Sequence, residues 1–415
     1  MIARLKILQI NKFYYLKGGS ERYLFDLLKI LETAGLEVIP FSMQDKKNRP
    51  SNYEKYFSQF MGMHRFSFKN IFKIFYNREA ARCLEKLIKK TKPNIAHLHN
   101  IAYQLSPSII RILKRHSIPI VMTLHDYNII CPNAKLFTKG AHCERCRGVR
   151  YYHCFLNKCS HDSYGQSFLA MLEAYFNQRL LKVYDQVDLF IAPSRAMKDA
   201  CVKFGLPENK IVNLCYPVEL NDDSPENIDA SNYILYFGRL SPEKGIDVLL
   251  KSMIKVDSKI NLKLVGTGPD YQKLENKIKQ LSLSNRARLL GAKYGDELSA
   301  LIKGALAIVI PSVWQENMPL AMLESLALGK IVIASRMGGL GEMIKDGDNG
   351  FLFKSGDSDE LAQKINSATF RNEFIKNVEK RAKESLGGLN FKNHQEKIIE
   401  LYKKILDLEN FGTLT

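Results

Sequence analysis

The chain has 415 residues, 46% of them apolar and 25% charged, which is ordinary globular usage and excludes a small disulfide-stapled scaffold, extended disorder and collagen-like architecture. At roughly 100 to 200 residues per domain, the length predicts two or three domains. Lys and Arg number 61 against 43 Asp and Glu, a formal net charge of +18; residues 1–200 hold 32 basic and 15 acidic residues and residues 201–415 hold 29 and 28, so the first half carries the excess and with it the expectation of an anionic partner.

Along the chain, short β-branched runs alternate with amphipathic helical stretches. Strands are predicted at Leu5–Asn11, Glu37–Ser42, Ile95–His99, Ile118–His125 and Asp188–Ser194. Helices are predicted over Ser20–Thr33, with Ser20 as N-cap, and near Gln166–Tyr184. An irregular Cys- and His-containing segment, about 131–165, interrupts this βαβ rhythm. After Ile211–Pro217, the polar stretch VELNDDSPENIDASN reads as a linker. The rhythm then restarts, with strands at Tyr233–Arg239, Asn261–Gly266, Ala287–Leu290, Ala305–Pro311 and Lys330–Ser335. Two doubly wound parallel sheets in tandem follow, with ligand chemistry expected at the carboxyl ends of their strands. The N-terminus MIARLKILQIN has no signal-peptide pattern and no window of about 18 apolar residues occurs, so a cytoplasmic chain with reduced cysteines is expected.

The candidate residues sit at those strand ends. Gly18 and Gly19 in LKGGSERYL suit close backbone approach to an anion at a helix start, or simply a tight turn. His97, His99 and Asn100 close one strand, His97 being expected to point away from His99. Thr123, His125, Asp126 and Tyr127 close the next, and His125 is the favoured catalytic candidate. In the second half, Arg239 offers a planar fork and Lys244 a point charge, enough together to neutralise a diphosphate without a metal ion. Gly266 and Gly268 in VGTGPD allow close approach by a ring or ribose. In PSVWQENMPLAMLESLALGK, Glu316 lies in a loop and Glu324 eight positions on in a helix that starts near Pro319; two carboxylates at this spacing would accept from sugar and ribose hydroxyls. Asp346-Gly347-Asp348 imitates a metal-binding DxD but reads as a turn.

Taken in order, GGSE, TLHDY, FGRLSPEKG, VGTGP and the pair Glu316 and Glu324 resemble the retaining nucleotide-sugar glycosyltransferases built from two Rossmann-like domains, the glycosyltransferase B fold. The resemblance covers nearly the whole chain. It implies an acceptor-binding domain at 1–217, joined by a C-terminal helix at 390–415, and a donor-binding domain at 218–389 that face each other across a cleft. It further implies that Gly18 and Gly19 approach the donor phosphates, that Arg239 and Lys244 neutralise the diphosphate, that Glu316 with Asn317, Met318 and Leu320 holds the donor sugar, that Glu324 binds ribose, and that His125 lies near the reacting sugar. His99, Asn100, Asp126 and Tyr127 then become acceptor-side candidates. The loop ENMP departs from the family's more familiar EGFG, which leaves sugar identity open.

The cysteine segment is a second departure. Cys143, Cys146, Cys154 and Cys159 supply four thiolates with ribbon-like spacing for a structural zinc, with Cys131, His142, His153 and His161 as competing ligands and reduced thiols as the plain alternative. No cofactor is expected for catalysis. In residues 64–90, Phe68, Ile71, Phe72, Ile74 and Phe75 mix with Lys69, Lys73, Arg78, Arg82 and Lys86, which suits either an interfacial helix on anionic lipid or a core-packed helix with a solvated basic face. The expected partners are a nucleoside-diphosphate sugar, a glycan or polyprenyl-diphosphate-linked acceptor in cell-surface polysaccharide synthesis, and the inner face of the cell membrane. A nucleic-acid-binding protein would explain the basic half but not Arg239, Lys244, Glu316 and Glu324; a nucleotide-sugar epimerase of the same architecture would turn over donor without acceptor.

Overall fold

The computed structural model describes residues 5–62, 68–219, 231–370 and 373–407, apart from the side chains of residues 68–71. The chain divides into two compact units. The first comprises Met1–Leu136, Glu144–Tyr216 and Phe391–Thr415, and the second Phe137–Cys143 and Pro217–Asn390.

In the first unit, apolar runs too short for helices become strands buried on both faces, as a parallel sheet between helical layers requires. The elements run β1 (Lys6–Ile10), α1 (Gly19–Thr33), β2 (Glu37–Phe41), α2 (Phe68–Phe75), α3 (Arg78–Thr91), β3 (Ile95–Leu98), α4 (Ser108–Arg115) and β4 (Ile120–Thr123). A two-stranded hairpin, β5 (Phe137–Thr138) and β6 (Ala141–His142), groups with the second unit. Then follow α5 (Tyr152–Leu156), α6 (Tyr164–Ala174), β7 (Leu189–Ala192), α7 (Arg195–Lys203) and β8 (Ile211–Asn213). The sheet order is β2-β1-β3-β4-β7-β8, all parallel, and Gln9 pairs in register with His97.

The second unit repeats the plan with β9 (Tyr233–Phe237), α8 (Ile246–Ser252), β10 (Asn261–Val265), α9 (Tyr271–Gln280), β11 (Ala287–Leu289), α10 (Gly295–Lys303), β12 (Ala307–Ile310), α11 (Leu320–Ala327), β13 (Val332–Ser335), α12 (Leu340–Met343), β14 (Phe351–Phe353), α13 (Ser358–Thr369) and α14 (Glu373–Glu384). Its order is β11-β10-β9-β12-β13-β14, again all parallel. The chain then returns to the first unit through α15 (Phe391–Ile405). Each sheet reverses its strand order beside its first strand, the switch point at which open α/β sheets place ligands.

Several expectations are corrected. Gly18, not Ser20, caps α1, and it does so without a side-chain hydrogen bond. The helix expected over Gln166–Tyr184 ends at Ala174 and continues as a wider π turn, Tyr175–Leu180; this keeps Asn177 buried, where it donates to Glu173 Oε1 at 2.9 Å. Strand β14 carried no turn signal strong enough to isolate it. Part of the basic stretch 64–90 lies outside the described residues, but α3 within it buries Ala80, Ala81, Leu84, Leu87 and Ile88 in the core. The apolar face of α3 is therefore already covered, while on α2, which holds the apolar residues of that stretch, Ile74 is buried and Phe72 exposed. Most of the linker expected after Pro217, residues 220–230, lies outside the described set. Among the described residues, no helix is long and apolar enough to cross a membrane.

Candidate functional site

In the second unit, the loops at the carboxyl ends of β9, β10, β12 and β13 meet. Glu316 is 4% exposed and its Oε1 accepts two hydrogen bonds, from Lys244 Nζ at 2.6 Å and from Ser312 Oγ at 2.5 Å. That leaves Oε2, which makes no other hydrogen bond among the described residues, as the oxygen available to a ligand. Ser312 is in turn fixed through its carbonyl, which accepts from Ser335 Oγ at 2.6 Å. The Lys244 ammonium also lies 5.1 Å from the centre of the Trp314 ring, near enough for a cation–π contact. Two buried donors of this region, Ser241 Oγ and Trp314 Nε1, have no partner within the protein. A polar ligand or water beside this ammonium would satisfy both.

The glycines here act on the chain itself. A Cβ at Gly266 would stand 1.8 Å from the Gly238 carbonyl oxygen, and one at Gly268 2.1 Å from that of Leu240. Gly266 and Gly268, expected to admit a ligand, thus first admit the neighbouring loop after β9. Gly266→Ala, at φ +140°, is expected to cost the second unit about 2–4 kcal/mol, measured as a lowered thermal midpoint; an unchanged midpoint would show that the two loops do not meet. A Cβ at Gly338 would meet the Glu316 carbonyl at 2.1 Å, and Gly339 N donates to that same oxygen at 2.9 Å, so the loop after β13 sets the position of Glu316. Asn317 and Met318 are buried beside Glu316, Leu320 opens α11, and Glu324 lies half-buried on that helix. Arg239 is exposed, its carbonyl accepting from Tyr236 Oη at 2.7 Å. Asp346, Gly347 and Asp348 form a turn held by Lys364 on Asp346 and Arg381 on Asp348, both at 2.8 Å.

The first unit holds an unusual buried network. His97 and His99 stack with ring centres 4.6 Å apart, correcting the expectation that they diverge, because side chains two residues apart on a strand share a face. His99 Nε2 lies 2.8 Å from Gln9 Oε1, and its Nδ1 2.9 Å from His125 Nε2. His125 Nδ1 lies 2.7 Å from Tyr216 Oη. On the other side, Gln9 Nε2 donates to Tyr402 Oη at 3.4 Å, Tyr402 Oη reaches His97 Nδ1 at 2.6 Å, and His97 Nε2 reaches Thr123 Oγ1 at 2.7 Å.

Neutral rings can satisfy these contacts in only one sense once the amide is fixed. Gln9 Oε1 accepts, so His99 carries its proton on Nε2; its Nδ1 then accepts from His125 Nε2, and His125 Nδ1 accepts from the Tyr216 hydroxyl. The rings are neutral because burial pulls His97 and His125 down to about 3 and His99 well below the ordinary histidine value, with neighbouring rings lowering His97 and His99 further. Both ring nitrogens of His125 are therefore engaged inside this unit, and direct proton transfer to a ligand would require it to release a partner.

A cavity of about 120 Å³ opens beside this network, lined in part by Lys12, His99, Asn100, Tyr103, Asp126 and Asn128. Burial raises the Asp126 carboxyl above its usual value, against the opposing pull of Lys12. Tyr127, expected at this wall, instead packs in the core, its N–H bonded to Ala134 O at 3.1 Å. At the start of α1, a side chain at Gly18 would meet only Glu21 Oε2, at 3.7 Å, so the fold itself makes no steric demand for glycine there. Glu21 is buried and accepts from Asn11 Nδ2 at 3.1 Å. Sequence reading missed Ser312, Trp314, Tyr216, Gln9 and Tyr402; of these, only the single tryptophan two residues before Glu316 stood out as a signal.

The cysteine segment lies partly in the core of the first unit. Cys146 and Cys154 are buried with Tyr151, Ala170 and Ala174 in a small cluster of the first unit, with Cys159 packed against it. Cys154 shares a hydrogen bond with Cys159, which together with burial pushes its thiol far up. None of the eight cysteines is in a disulfide, and among the described residues no three Cys, His, Asp or Glu side chains converge to hold a metal ion.

Two parallel-sheet units, one with a cation–carboxylate pair at its strand ends and one with a polar cavity at its own, define a two-domain doubly wound α/β class. Residues 218–385 match the family model "Glycosyl transferases group 1" and residues 17–221 match "Glycosyltransferase Family 4". An uncharacterized glycosyltransferase of Methanocaldococcus jannaschii is 35% identical over 153 residues, 37% of this chain and 42% of that protein. The lipopolysaccharide 1,2-N-acetylglucosaminetransferase of Salmonella typhimurium is 32% identical over 146 residues, 32% of this chain and 38% of its own length. Both alignments thus span less than half of the relative. The crystal structure of Anabaena HepE with UDP and glucose superposes with a TM-score of 0.67 at 18% identity, covering 97% of this chain and 100% of that one, which establishes a common fold. The chain belongs to the glycosyltransferases of the GT-B fold.

Proposed function

We propose that this protein transfers a glycosyl group from a nucleoside-diphosphate sugar to a hydroxyl of a glycan or polyprenyl-diphosphate-linked acceptor, with retention at the anomeric carbon and without a divalent metal in the chemical step. The observation that carries this reading is the Lys244–Glu316 pair, set among glycines and beside two unpartnered buried donors. The bond from the anomeric carbon to the β-phosphate oxygen breaks and one to the acceptor oxygen forms. The acceptor proton passes to the departing phosphate oxygen on the same face. Lys244, with Arg239 as the second cation, meets the charge that grows on the diphosphate, as fixed donors do wherever negative charge develops.

Glu316 Oε2 receives sugar hydroxyls while Oε1 stays with Lys244 and Ser312, so a single side chain links sugar position to phosphate neutralisation. Glu324 takes the ribose, and Gly18 and Gly19 leave the start of α1 bare for phosphate. In the first unit, Asp126, Asn100 and the cavity edge at His99 receive the acceptor. HepE binds UDP and the Salmonella relative acts on lipopolysaccharide, which makes a uridine diphosphate sugar and a surface-glycan acceptor the first pair to try. The test is nucleoside diphosphate release from UDP-, GDP-, ADP- and dTDP-sugars, with and without membrane lipid extract. Acceptor-dependent release from one donor, lost in Glu316→Ala, is expected. Release that is independent of acceptor, or unaffected by the substitution, would overturn the transfer reading.

A further inference from the structure

The two helices of the cysteine-containing segment each have an inner and an outer apolar face. On α6, Ser167, Ala170, Glu173 and Ala174 are buried against the unit, whereas Tyr164, Phe168 and Leu172, spaced i, i+4, i+8, face out. On α5, Cys154 is buried, and Tyr152 and Leu156 face out. The outer stripes adjoin, because the Phe155 ring lies 5.4 Å from that of Tyr164 and 5.7 Å from that of Phe168. These five outward side chains are 37% to 58% exposed. Scattered exposed apolar residues are normal on a protein surface, but a stripe built from two packed helices is not.

The rim of the stripe is basic. Residues 144–182 contain six Lys and Arg against three acidic residues. Of the acids, Glu173 is buried inward and Glu144 is bound to Lys203 at 2.5 Å, which leaves Asp162 outside. Arg145, Arg147 and Arg150 are exposed ahead of α5, Arg179 and Lys182 are exposed after α6, and the Lys158 ammonium sits 4.5 Å over the Tyr164 ring. Aromatic and leucine side chains ringed by guanidinium and ammonium groups, on helices whose other face is already satisfied, complement an apolar layer edged with phosphates.

We propose that the outer face of α5 and α6 docks on an anionic lipid bilayer, with Tyr164, Phe168 and Leu172 entering the headgroup boundary and the basic rim lying over lipid phosphates. The proposal rests on the transfer reading in one respect: it brings the first unit to the surface that holds a lipid-linked acceptor. In the stretch 64–90, by contrast, α3 spends its apolar face in the core, and α2 leaves Phe72 exposed.

The full chain is tested by co-sedimentation with phosphatidylcholine vesicles, with and without phosphatidylglycerol, at low and high salt. Wild type is expected to sediment with anionic vesicles at low salt and to be released by salt. The double variant Phe168→Ser/Leu172→Ser should bind about tenfold more weakly with an unchanged melting temperature. A second variant, Arg145→Gln/Arg147→Gln, should lose much of the salt dependence. Absence of wild-type binding, equal binding by the serine variant, or equal binding to neutral vesicles would overturn the proposal. So would a dimer in free solution that the serine variant dissolves while neither protein binds vesicles, since the stripe would then belong to a second copy. Vesicle binding is read without turnover: a chain that docks as expected yet releases no nucleoside diphosphate from any donor would support the docking face while overturning the transfer reading.

Discussion

Replacing Lys244 with alanine is expected to lower the rate of nucleoside diphosphate release by about 10²–10³-fold, the range seen when one fixed donor facing developing negative charge is removed. The same change should destabilise the second unit by about 3 kcal/mol, because it strands a buried carboxylate whose remaining partner is Ser312. Glu316→Ala should also abolish most activity, but it should cost less stability. The reason is asymmetric burial: the Lys244 side chain is 22% exposed, whereas that of Glu316 is 5% exposed. Parallel rate and melting measurements on the two variants check both statements. If Glu316→Ala proved the more destabilising, the carboxylate would not be the buried member of the pair.

Acidification should begin to destabilise the first unit at about pH 6.5, above the range in which ordinary carboxylates titrate. Burial holds His97 at about 3 and His394 at about 4, and it holds His99 well below the ordinary 6.5. Between those folded values and 6.5 the unfolded chain binds protons that the folded chain refuses, so stability is full above about pH 6.5 and is lost as pH falls. Each such ring contributes a slope of about 1.4 kcal/mol per pH unit; His125, at about 3, makes four, and Glu173, whose carboxyl burial raises to about 7, offsets one, so the net reaches roughly 4 kcal/mol per unit. Against a typical net stability of about 5–15 kcal/mol, the midpoint should fall between about pH 3 and 5. Denaturant titrations from pH 7 to 4 read the slope, and His97→Gln should reduce it by about one proton's worth whatever it does to absolute stability. A first unit equally stable at pH 7 and 5 would show that these rings are not buried in the neutral state.

Heteronuclear NMR of the imidazoles gives a further check. His125 is expected in the Nε2–H form and should change tautomer or mobility in Tyr216→Phe, which removes the hydroxyl its Nδ1 accepts from. A His125 ring protonated on Nδ1 in the wild type would break the single direction assigned to the whole chain of hydrogen bonds.

Much of this protein was legible in its sequence, for physical reasons that are local. β-branched runs of four or five residues between amphipathic stretches determine parallel strands and helices without reference to the rest of the chain, so both sheets were readable, and Arg239, Lys244, Glu316 and Glu324 stood out because charged side chains at strand ends need a partner. Tertiary structure alone decided what those residues touch. The sequence does not say that Glu316 is closed in by Lys244 from 72 positions away, or that Gly266 and Gly338 serve neighbouring loops before any ligand. Nor does local pattern reveal that His97 and Gln9 meet Tyr402, some 300 to 400 residues on, through α15. Hydrogen bonds and steric close approach depend on distance in space, and periodicity along the chain carries no information about partners that only the closed fold brings together.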